Sequence, residues 1–259
     1  MSRSLLPAAL LALSACAQAP ARSPAPLAWD DARQVVVVTT DEWSSVHGTL
    51  RRFARSGTGD WQPVGGAQPI VVGRSGSGWG LGLNPEPDAS VSVGDPIKRE
   101  GDGRAPAGVF VIGTAFGYAA GAGTAMPYQA MDAGDWCMDV SGSPLYNRIV
   151  DVDQVGDAAV RGSTEPMRRD LHADGDQRYR LGFVIEHNPA AVPMAGSCIF
   201  AHLWKTPDTA TAGCTAMAPA TMDAVLDWLD PAMHPVFVLL PADEYDALHS
   251  AWRLPELPR

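Results

Sequence analysis

Short apolar runs separated by polar and breaker-rich segments dominate the pattern of this chain. The clearest run is Gln34–Thr40, in which four consecutive valines precede two threonines. A short β-branched run of this kind is typical of a strand buried on both faces. Val46–Phe53 alternates weakly and predicts a second strand. Further strands of the same style are predicted at Gln68–Gly73, Gly108–Thr114, Leu181–His187, Ser197–Leu203 and Pro235–Pro241.

Helical periodicity is clear in one segment near the C-terminus. Pro219 suits a first helical turn, and the prolines from Pro231 onward are expected to end the helix. Apolar residues between them recur at i, i+3, i+4 and i+7 and predict one buried stripe. These residues are Met222, Val225, Leu226 and Leu229. A short closing helix is predicted over Asp243–Trp252.

Composition narrows the fold class. The 26 glycines and 22 prolines among 259 residues leave room for few long helices. The sequence therefore predicts a mostly β fold with a few short helices, in one domain over residues 34–259.

The net charge of −10 argues against electrostatic binding to nucleic acid or to an anionic lipid surface. No glycine loop opens a helix after a strand, so no phosphate-bearing cofactor is predicted.

The N-terminal residues have the features of an export signal. Arg3 is followed by the apolar stretch Leu5–Leu13, which is too short to span a bilayer permanently. The following Leu-Ser-Ala-Cys run resembles the lipobox of bacterial lipoproteins. Residues 1–15 are then the signal peptide, and Cys16 is the lipidated first residue of the mature chain. The alternative is an ordinary signal peptide with an incidental cysteine.

The lipoprotein interpretation also predicts where the exported protein is located. Ala17 is not an aspartate, so the lipoprotein rules of a Gram-negative cell predict the periplasm and an outer-membrane lipid anchor. Residues 16–33, rich in Ala, Pro and Ser, are expected to form a flexible tether. Contact with the membrane is expected through the lipid anchor alone.

A histidine and a cysteine near the C-terminus form the candidate catalytic pair. His202 ends the predicted strand Ser197–Leu203, and Cys214 lies in the following Thr-Ala-Gly-Cys run. A strand end and the next turn can lie close in space, and a partner imidazole is the usual means of producing a reactive thiolate. Gly213 would let the backbone present the N–H groups of residues 213 and 214 to an oxyanion. On residue types alone, structural roles for both side chains are the commoner interpretation.

Two runs resemble one family. The Thr-x-Gly-Cys run, with an upstream Phe-x-His-x-Trp strand, resembles the signature of the YkuD-like L,D-transpeptidases. The run from Lys98 to Phe110, Lys-Arg-Glu-Gly-Asp-Gly-Arg-Ala-Pro-Ala-Gly-Val-Phe, resembles a segment that precedes a central strand in one branch of that family. The resemblance spans Gln34 to Pro241. It implies a β-sandwich-like catalytic fold, a peptidoglycan stem peptide as substrate, Cys214 as nucleophile and His202 as general base, with a backbone carbonyl on the second imidazole nitrogen.

The resemblance also raises the question of what binds the substrate carboxylate. Many family members have an arginine two residues after the cysteine, where this chain has Ala216. Lys98, Arg99 or Arg104 are then the candidates, because a guanidinium can bind a carboxylate bidentately. The structural alternative for this segment is a tight Gly-Asp-Gly turn flanked by surface charges.

Other polar residues are further candidates for substrate binding, catalysis or metal binding. Tyr146 and Asn147 resemble a family run near the substrate cleft, and the alternative for Asn147 is to stabilise its own loop. His187 is interpreted as a polar residue at a strand end. No Cys or His pair has zinc-ligand spacing, so no metal site is predicted.

Cys137 and Cys198 are left once Cys16 and Cys214 have roles. In an oxidising periplasm two such cysteines often pair, and a disulfide is favoured over two reduced core residues. That pairing leaves Cys214 as the free thiol. A Cys198–Cys214 disulfide would instead exclude the nucleophile.

Three functions follow from these observations. The first is a periplasmic, lipid-anchored L,D-transpeptidase that works through a cysteine acyl-enzyme. The second keeps the same catalytic pair but uses water as acceptor, giving an L,D-carboxypeptidase or endopeptidase. The third is a non-catalytic lipoprotein that binds the cell wall. A thiol of low pKa is expected for the enzymes and an inert buried thiol for the binding protein.

Overall fold

The computed structural model describes residues 25–84 and 94–258. Its strands are β1 (Gln34–Thr40), β2 (His47–Ala54), β3 (Gln62–Val71), β4 (Ser77–Trp79), β5 (Ala105–Gly117), β6 (Tyr128–Ala130), β7 (Asp135–Cys137), β8 (Ile149–Asp151), β9 (Glu165–Pro166), β10 (Leu181–Ile185), β11 (Phe200–Leu203), β12 (Thr215–Met217) and β13 (Val236–Pro241). Its helices are α1 (Val152–Val155), α2 (Arg169–His172), α3 (Pro219–Trp228) and α4 (Ala242–Leu248), with a 3-10 turn at Pro231–Met233. The predicted signal peptide and Cys16 lie outside the described residues.

The main sheet closes on itself. Its strands follow the order β10-β11-β12-β3-β2-β1-β13-β5, and β10 also pairs with β5. The prediction of a mostly β fold with few short helices is confirmed. The architecture is a closed, barrel-like sheet with a second, smaller sheet, and it is not clearly the predicted sandwich. The reason is the antiparallel pairing of β10 with β5, which joins the two ends of the strand path.

Strand β1 lies at the centre of the core. It pairs with β13 in parallel along one edge and with β2 antiparallel along the other, and its four valines have no exposed surface. Helix α4 contacts β1 and β13 and buries Tyr245. The valine run is therefore buried on both faces, as predicted, and Thr39 is partly exposed.

Helix α3 has the predicted apolar stripe. Met222, Val225 and Leu226 are buried, and Leu229 is buried directly after the helix ends. The helix packs against β10 and β11. It therefore supports the strand that carries the candidate catalytic histidine.

The packed body begins before Gln34. Trp29 and Ala32, which fall in the segment expected to be a tether, are buried in the core. The Trp29 ring meets the ring of Trp252 edge-on at 5.6 Å, and its Nε1–H donates to the Trp252 carbonyl at 2.9 Å. Trp252 lies beyond the end of α4, which is shorter than the predicted closing helix.

A small sheet of order β8-β7-β9 lies beside the barrel. Cys137 in β7 forms a disulfide with Cys198, which precedes β11, so the pairing favoured from the sequence is present. The bond ties this sheet to the barrel strand that carries His202. No helix in the described ranges has the length and apolarity needed to cross a membrane.

Candidate active site

A cavity of about 430 Å³ opens between the end of the barrel and the small sheet. Its lining comes from four parts of the chain: the segment before β11 together with His202, the turn 211–214, the loop before β5, and polar residues between 164 and 179. Cys214 and His202 both line this cavity, so the fold brings the predicted catalytic pair to one space.

Cys214 is the free cysteine of the described residues, and its thiol is buried. The Phe200 N–H donates to Sγ at 3.4 Å, and Sγ–H donates to the Cys198 carbonyl at 3.6 Å. Burial raises the pKa of Cys214 to about 12, and the nearby carboxylate of Glu165 contributes in the same direction. In this resting state Cys214 is therefore a buried, protonated thiol, the kind expected for the binding protein and not the low-pKa thiol expected for the enzymes, because desolvation penalises the thiolate.

His202 is held as a neutral base. Its Nδ1 lies 2.8 Å from the carbonyl oxygen of Leu203. Because a carbonyl can only accept, Nδ1 carries the proton and Nε2 keeps its lone pair. Burial lowers the pKa of His202 to about 4. A backbone carbonyl thus orients the imidazole, as the resemblance implies.

The described residues show no hydrogen bond between the Cys214 thiol and the imidazole of His202. The parallel register of β11 and β12 places His202 opposite Ala216, two residues beyond the cysteine. The structure therefore shows a thiol and an imidazole that share a cavity, with both groups uncharged.

The two predicted oxyanion donors differ. The Gly213 N–H donates to Thr211 Oγ1 at 3.1 Å, and this hydroxyl donates to the Cys214 carbonyl at 2.6 Å. The prediction for the Gly213 N–H is therefore wrong, because a side chain of the same turn occupies it. Within the described ranges the Cys214 N–H makes no hydrogen bond, and it remains the candidate donor.

Gly213 has a conformational role instead. Its φ of +152° is a region that favours glycine, and an added Cβ would lie 2.9 Å from the Arg104 carbonyl oxygen. Only a residue without a side chain allows the cysteine turn to pack this closely on the loop behind it.

The loop before β5 is organised around Asp102. Its Oδ1 accepts from Lys98 Nζ and from the Arg104 N–H, each at 2.8 Å, and its Oδ2 accepts from the Arg99 N–H at 2.7 Å. The structural alternative for this segment therefore holds. Lys98 lines the cavity, but Asp102 neutralises its charge.

The other two cations predicted to bind substrate do not reach the cavity. Arg104 donates from Nη1 to the carbonyls of Ser75 and Ser77, at 2.8 and 2.9 Å. Arg99 is exposed and does not line the cavity. The structure therefore does not bring these two side chains to the cavity: two carbonyls of the neighbouring segment hold the Arg104 guanidinium, and Arg99 is tied into its loop through its backbone N–H.

Tyr146 and Asn147 also lie outside the cavity lining. The Tyr146 hydroxyl donates to the carboxylate of Glu100, and burial raises the pKa of this phenol. Asn147 donates to the carbonyls of His187 and Asn188, at 2.8 and 2.9 Å, and accepts from the Cys198 N–H at 2.8 Å. The structure therefore places these two residues in support of the loop before β11 and does not bring them to the cavity.

His187 is structural, as the sequence predicted. The Leu81 N–H donates to Nδ1 at 3.2 Å, and Nε2–H donates to the Ala195 carbonyl at 3.0 Å. Both ring nitrogens are thus satisfied inside the protein. The ring is buried and does not line the cavity.

A polar network beside His202 was not predicted. Tyr179 packs edge-on against the rings of His202 and Phe200, at 5.1 and 5.5 Å. Glu165, whose carboxylate acts to raise the pKa of this phenol, pairs with Arg169 at 3.1 Å. Burial raises the pKa of Tyr179 well above its ordinary value, so a neutral phenol lies beside the catalytic pair. These residues form no local motif, because tertiary packing alone assembles them.

Neither protein-family models, curated proteins nor solved structures matched this chain. Three or more His, Cys, Asp or Glu side chains placed to hold a metal ion are not found in residues 25–84 and 94–258. The functional conclusion therefore rests on the cavity and on the two runs of residues that resemble the L,D-transpeptidases.

Proposed function

We propose that this protein is a cysteine-dependent acyltransferase, an L,D-transpeptidase that acts on peptidoglycan stem peptides. The observation that carries the proposal is the shared cavity of Cys214 and His202. The disulfide occupies Cys137 and Cys198 and leaves the Cys214 thiol free. The Leu203 carbonyl accepts the Nδ1 proton of His202, which leaves the basic lone pair on Nε2. The resemblance of the two sequence runs supports the choice of substrate.

The first half of the reaction forms a thioester. Cys214 Sγ attacks the carbonyl between the third and fourth residues of the stem while its proton passes to Nε2 of His202. The developing oxyanion accepts from the Cys214 N–H. The peptide C–N bond then breaks, and the imidazolium gives its proton to the departing D-alanine amine. The products are an acyl-enzyme and free D-alanine.

The second half transfers the acyl group. An acceptor amine attacks the thioester carbonyl while His202 takes its proton. The C–S bond breaks, and the sulfur regains a proton from the imidazolium. A new amide and the free thiol result. With water as acceptor, the same steps release a shortened stem, which is the hydrolase alternative.

The cellular setting is part of the proposal. The Cys137–Cys198 disulfide supports an oxidising compartment such as the periplasm. The lipid anchor at Cys16 and the outer-membrane address remain proposals from the lipobox-like run. The closed sheet with its attached small sheet is proposed to be this branch's form of the family's catalytic fold.

Product analysis tests the proposal. Purified disaccharide-tetrapeptide stems are incubated with protein lacking residues 1–16, and the products are identified by mass spectrometry. Cys214→Ala serves as the control. A dimer cross-linked between two third-position residues, absent in the control, is the expected result. Loss of one alanine without dimers would replace the transferase by the carboxypeptidase. Stems unchanged by both proteins would contradict the catalytic proposal and favour a wall-binding protein.

A further inference from the structure

Most cations that line the cavity are already neutralised by carboxylates. Lys98 pairs with Asp102 at 2.8 Å. Arg169 and Arg178, which also line the cavity, share Asp176, at 2.8 and 2.6 Å. These side chains serve the architecture of the cavity. Their charges are not free for a ligand.

Arg74 is different. It lines the same cavity and is exposed, and no carboxylate of the described residues lies within salt-bridge distance of its guanidinium. Its one side-chain hydrogen bond within those residues runs from Nη2 to the Gly101 carbonyl at 3.4 Å. Arg74 therefore places an unneutralised positive charge, with most of its donors unused, at the wall of the catalytic cavity.

The backbone of Arg74 is tied to the catalytic turn. Its N–H donates to the Thr211 carbonyl at 2.8 Å, and Gly73 forms a bridge with the same threonine. Thr211 in turn holds the carbonyl of Cys214 through its hydroxyl at 2.6 Å. Two hydrogen bonds thus connect the arginine to the nucleophile, and a group held by Arg74 would stay in register with the thiol.

The glycine loop positions the Arg74 side chain. Gly103 has a φ of +74°, and an added Cβ there would lie 2.9 Å from both Cγ and Cζ of Arg74. The arginine therefore lies directly on the bare backbone of Gly103. A role for the Gly-Asp-Gly turn follows, because it leaves the space in which the guanidinium rests.

We propose that Arg74 binds a carboxylate of the substrate beside Cys214, an inference that rests on the proposed function. It would supply the charge that many members of the resembled family place two residues after the cysteine. In this chain that position is Ala216, which is buried in β12 between β11 and β3, where no carboxylate can reach it. A guanidinium forms two parallel hydrogen bonds with a carboxylate, a geometry that lysine cannot reproduce. The carboxylate belongs either to the C-terminal alanine or to the side chain of a diamino-diacid third residue.

Binding measurements separate this inference from catalysis. Calorimetric titration uses the mature chain with Cys214→Ala, alone or combined with Arg74→Gln or with Arg161→Gln. Arg161 is an exposed arginine that does not line the cavity, so it controls for the loss of one charge. Three tetrapeptide stems are compared, namely one with both carboxylates free, one amidated at the C-terminus and one amidated at the third side chain. Thermal melting checks that each variant is folded.

The expected pattern is a thermodynamic coupling between Arg74 and one carboxylate. Arg74→Gln weakens binding of the free stem about 10- to 100-fold, the size expected for a charge-assisted hydrogen-bonding pair. Arg161→Gln changes it less than about twofold. Amidation of the bound carboxylate costs the same factor and abolishes the effect of Arg74→Gln, and amidation of the other carboxylate leaves that effect intact.

Several results would overturn the inference. They are equal affinities for the Arg74→Gln and Arg161→Gln proteins, an undiminished Arg74 effect with both amidated stems, or no binding of the free stem to Cys214→Ala. Turnover by the wild-type chain is read separately. Stem binding that depends on Arg74 without any turnover would contradict the proposed enzyme but not the carboxylate site. Turnover that is independent of Arg74 would contradict the carboxylate site but not the proposed enzyme.

Discussion

The raised pKa of Cys214 predicts an unusual response of the thiol to pH. Burial moves this pKa from an ordinary 9.0 to about 12. Three pKa units lower the thiolate fraction at neutral pH by about a thousandfold, which corresponds to about 4 kcal/mol. Because the thiolate, and not the thiol, attacks alkylating reagents, Cys214 should be nearly inert at pH 7 in the free protein.

Iodoacetamide labelling followed by intact-protein mass spectrometry measures this directly. In protein lacking residues 1–16, the disulfide protects Cys137 and Cys198, so labelling reports Cys214. Burial also slows access of the reagent, but by a similar factor at every pH, so the informative quantity is the shape of the pH profile. The rate should rise about tenfold per pH unit from pH 6 to above pH 10, whereas a free cysteine levels off near its own pKa. Cys214→Ala provides the blank.

A plateau at or below about pH 8 would refute this reasoning. It would mean that the resting enzyme holds a thiolate–imidazolium pair, and that burial does not control the protonation of the dyad. The catalytic step would then begin from a preformed nucleophile instead of from a thiol that His202 deprotonates during attack.

Three further predictions concern the turn and its surroundings. Since burial lowers the pKa of His202 to about 4, kcat/KM should be constant above about pH 5 and fall below about pH 4, where protonation removes the base. A fall in kcat/KM that begins near the ordinary pKa of histidine would contradict this. Gly213→Ala should lower the free energy of unfolding in urea by about 2–4 kcal/mol, because the backbone φ is unfavourable for alanine and the new Cβ clashes with the Arg104 carbonyl. The control Gly142→Ala has a φ of +92° but no atom within 4 Å of the new Cβ, and should cost about 1–2 kcal/mol. Equal losses in the two variants would exclude the clash. Replacing Cys137 and Cys198 together by alanine should lower the free energy of unfolding by about 4 kcal/mol in the same assay, because the disulfide closes a loop with a sequence separation of 61 residues. An unchanged urea midpoint would contradict this prediction.

Local patterns predicted the elements well because their causes are local. The four valines of β1 indicate a buried strand by themselves, and the stripe on α3 follows from helical spacing alone. Closure of the sheet depends on the pairing of Leu181 with Gly117, residues far apart in the chain. No local periodicity signals that contact, so the sandwich prediction had no basis in β10 or β5 themselves.

The candidate site was predictable where a motif carried it and unpredictable where packing made it. Cys214 and His202 belong to recognisable runs, and both line the cavity. The charge state of the thiol depends on burial by residues from separate segments, and Arg74 matters only because the other cavity cations are paired. Arg104 was chosen for its charge, but its guanidinium stabilises two carbonyls of a neighbouring loop.

The most direct test of the central claim is detection of the acyl-enzyme itself. Protein lacking residues 1–16 is mixed with a tetrapeptide stem, quenched in acid within seconds to minutes and measured by intact mass spectrometry, followed by peptide mapping. The account predicts an adduct with the mass of the stem minus one alanine, attached to Cys214 and absent from Cys214→Ala. An unmodified Cys214 under conditions in which stems are converted, or an adduct that persists in Cys214→Ala, would contradict it.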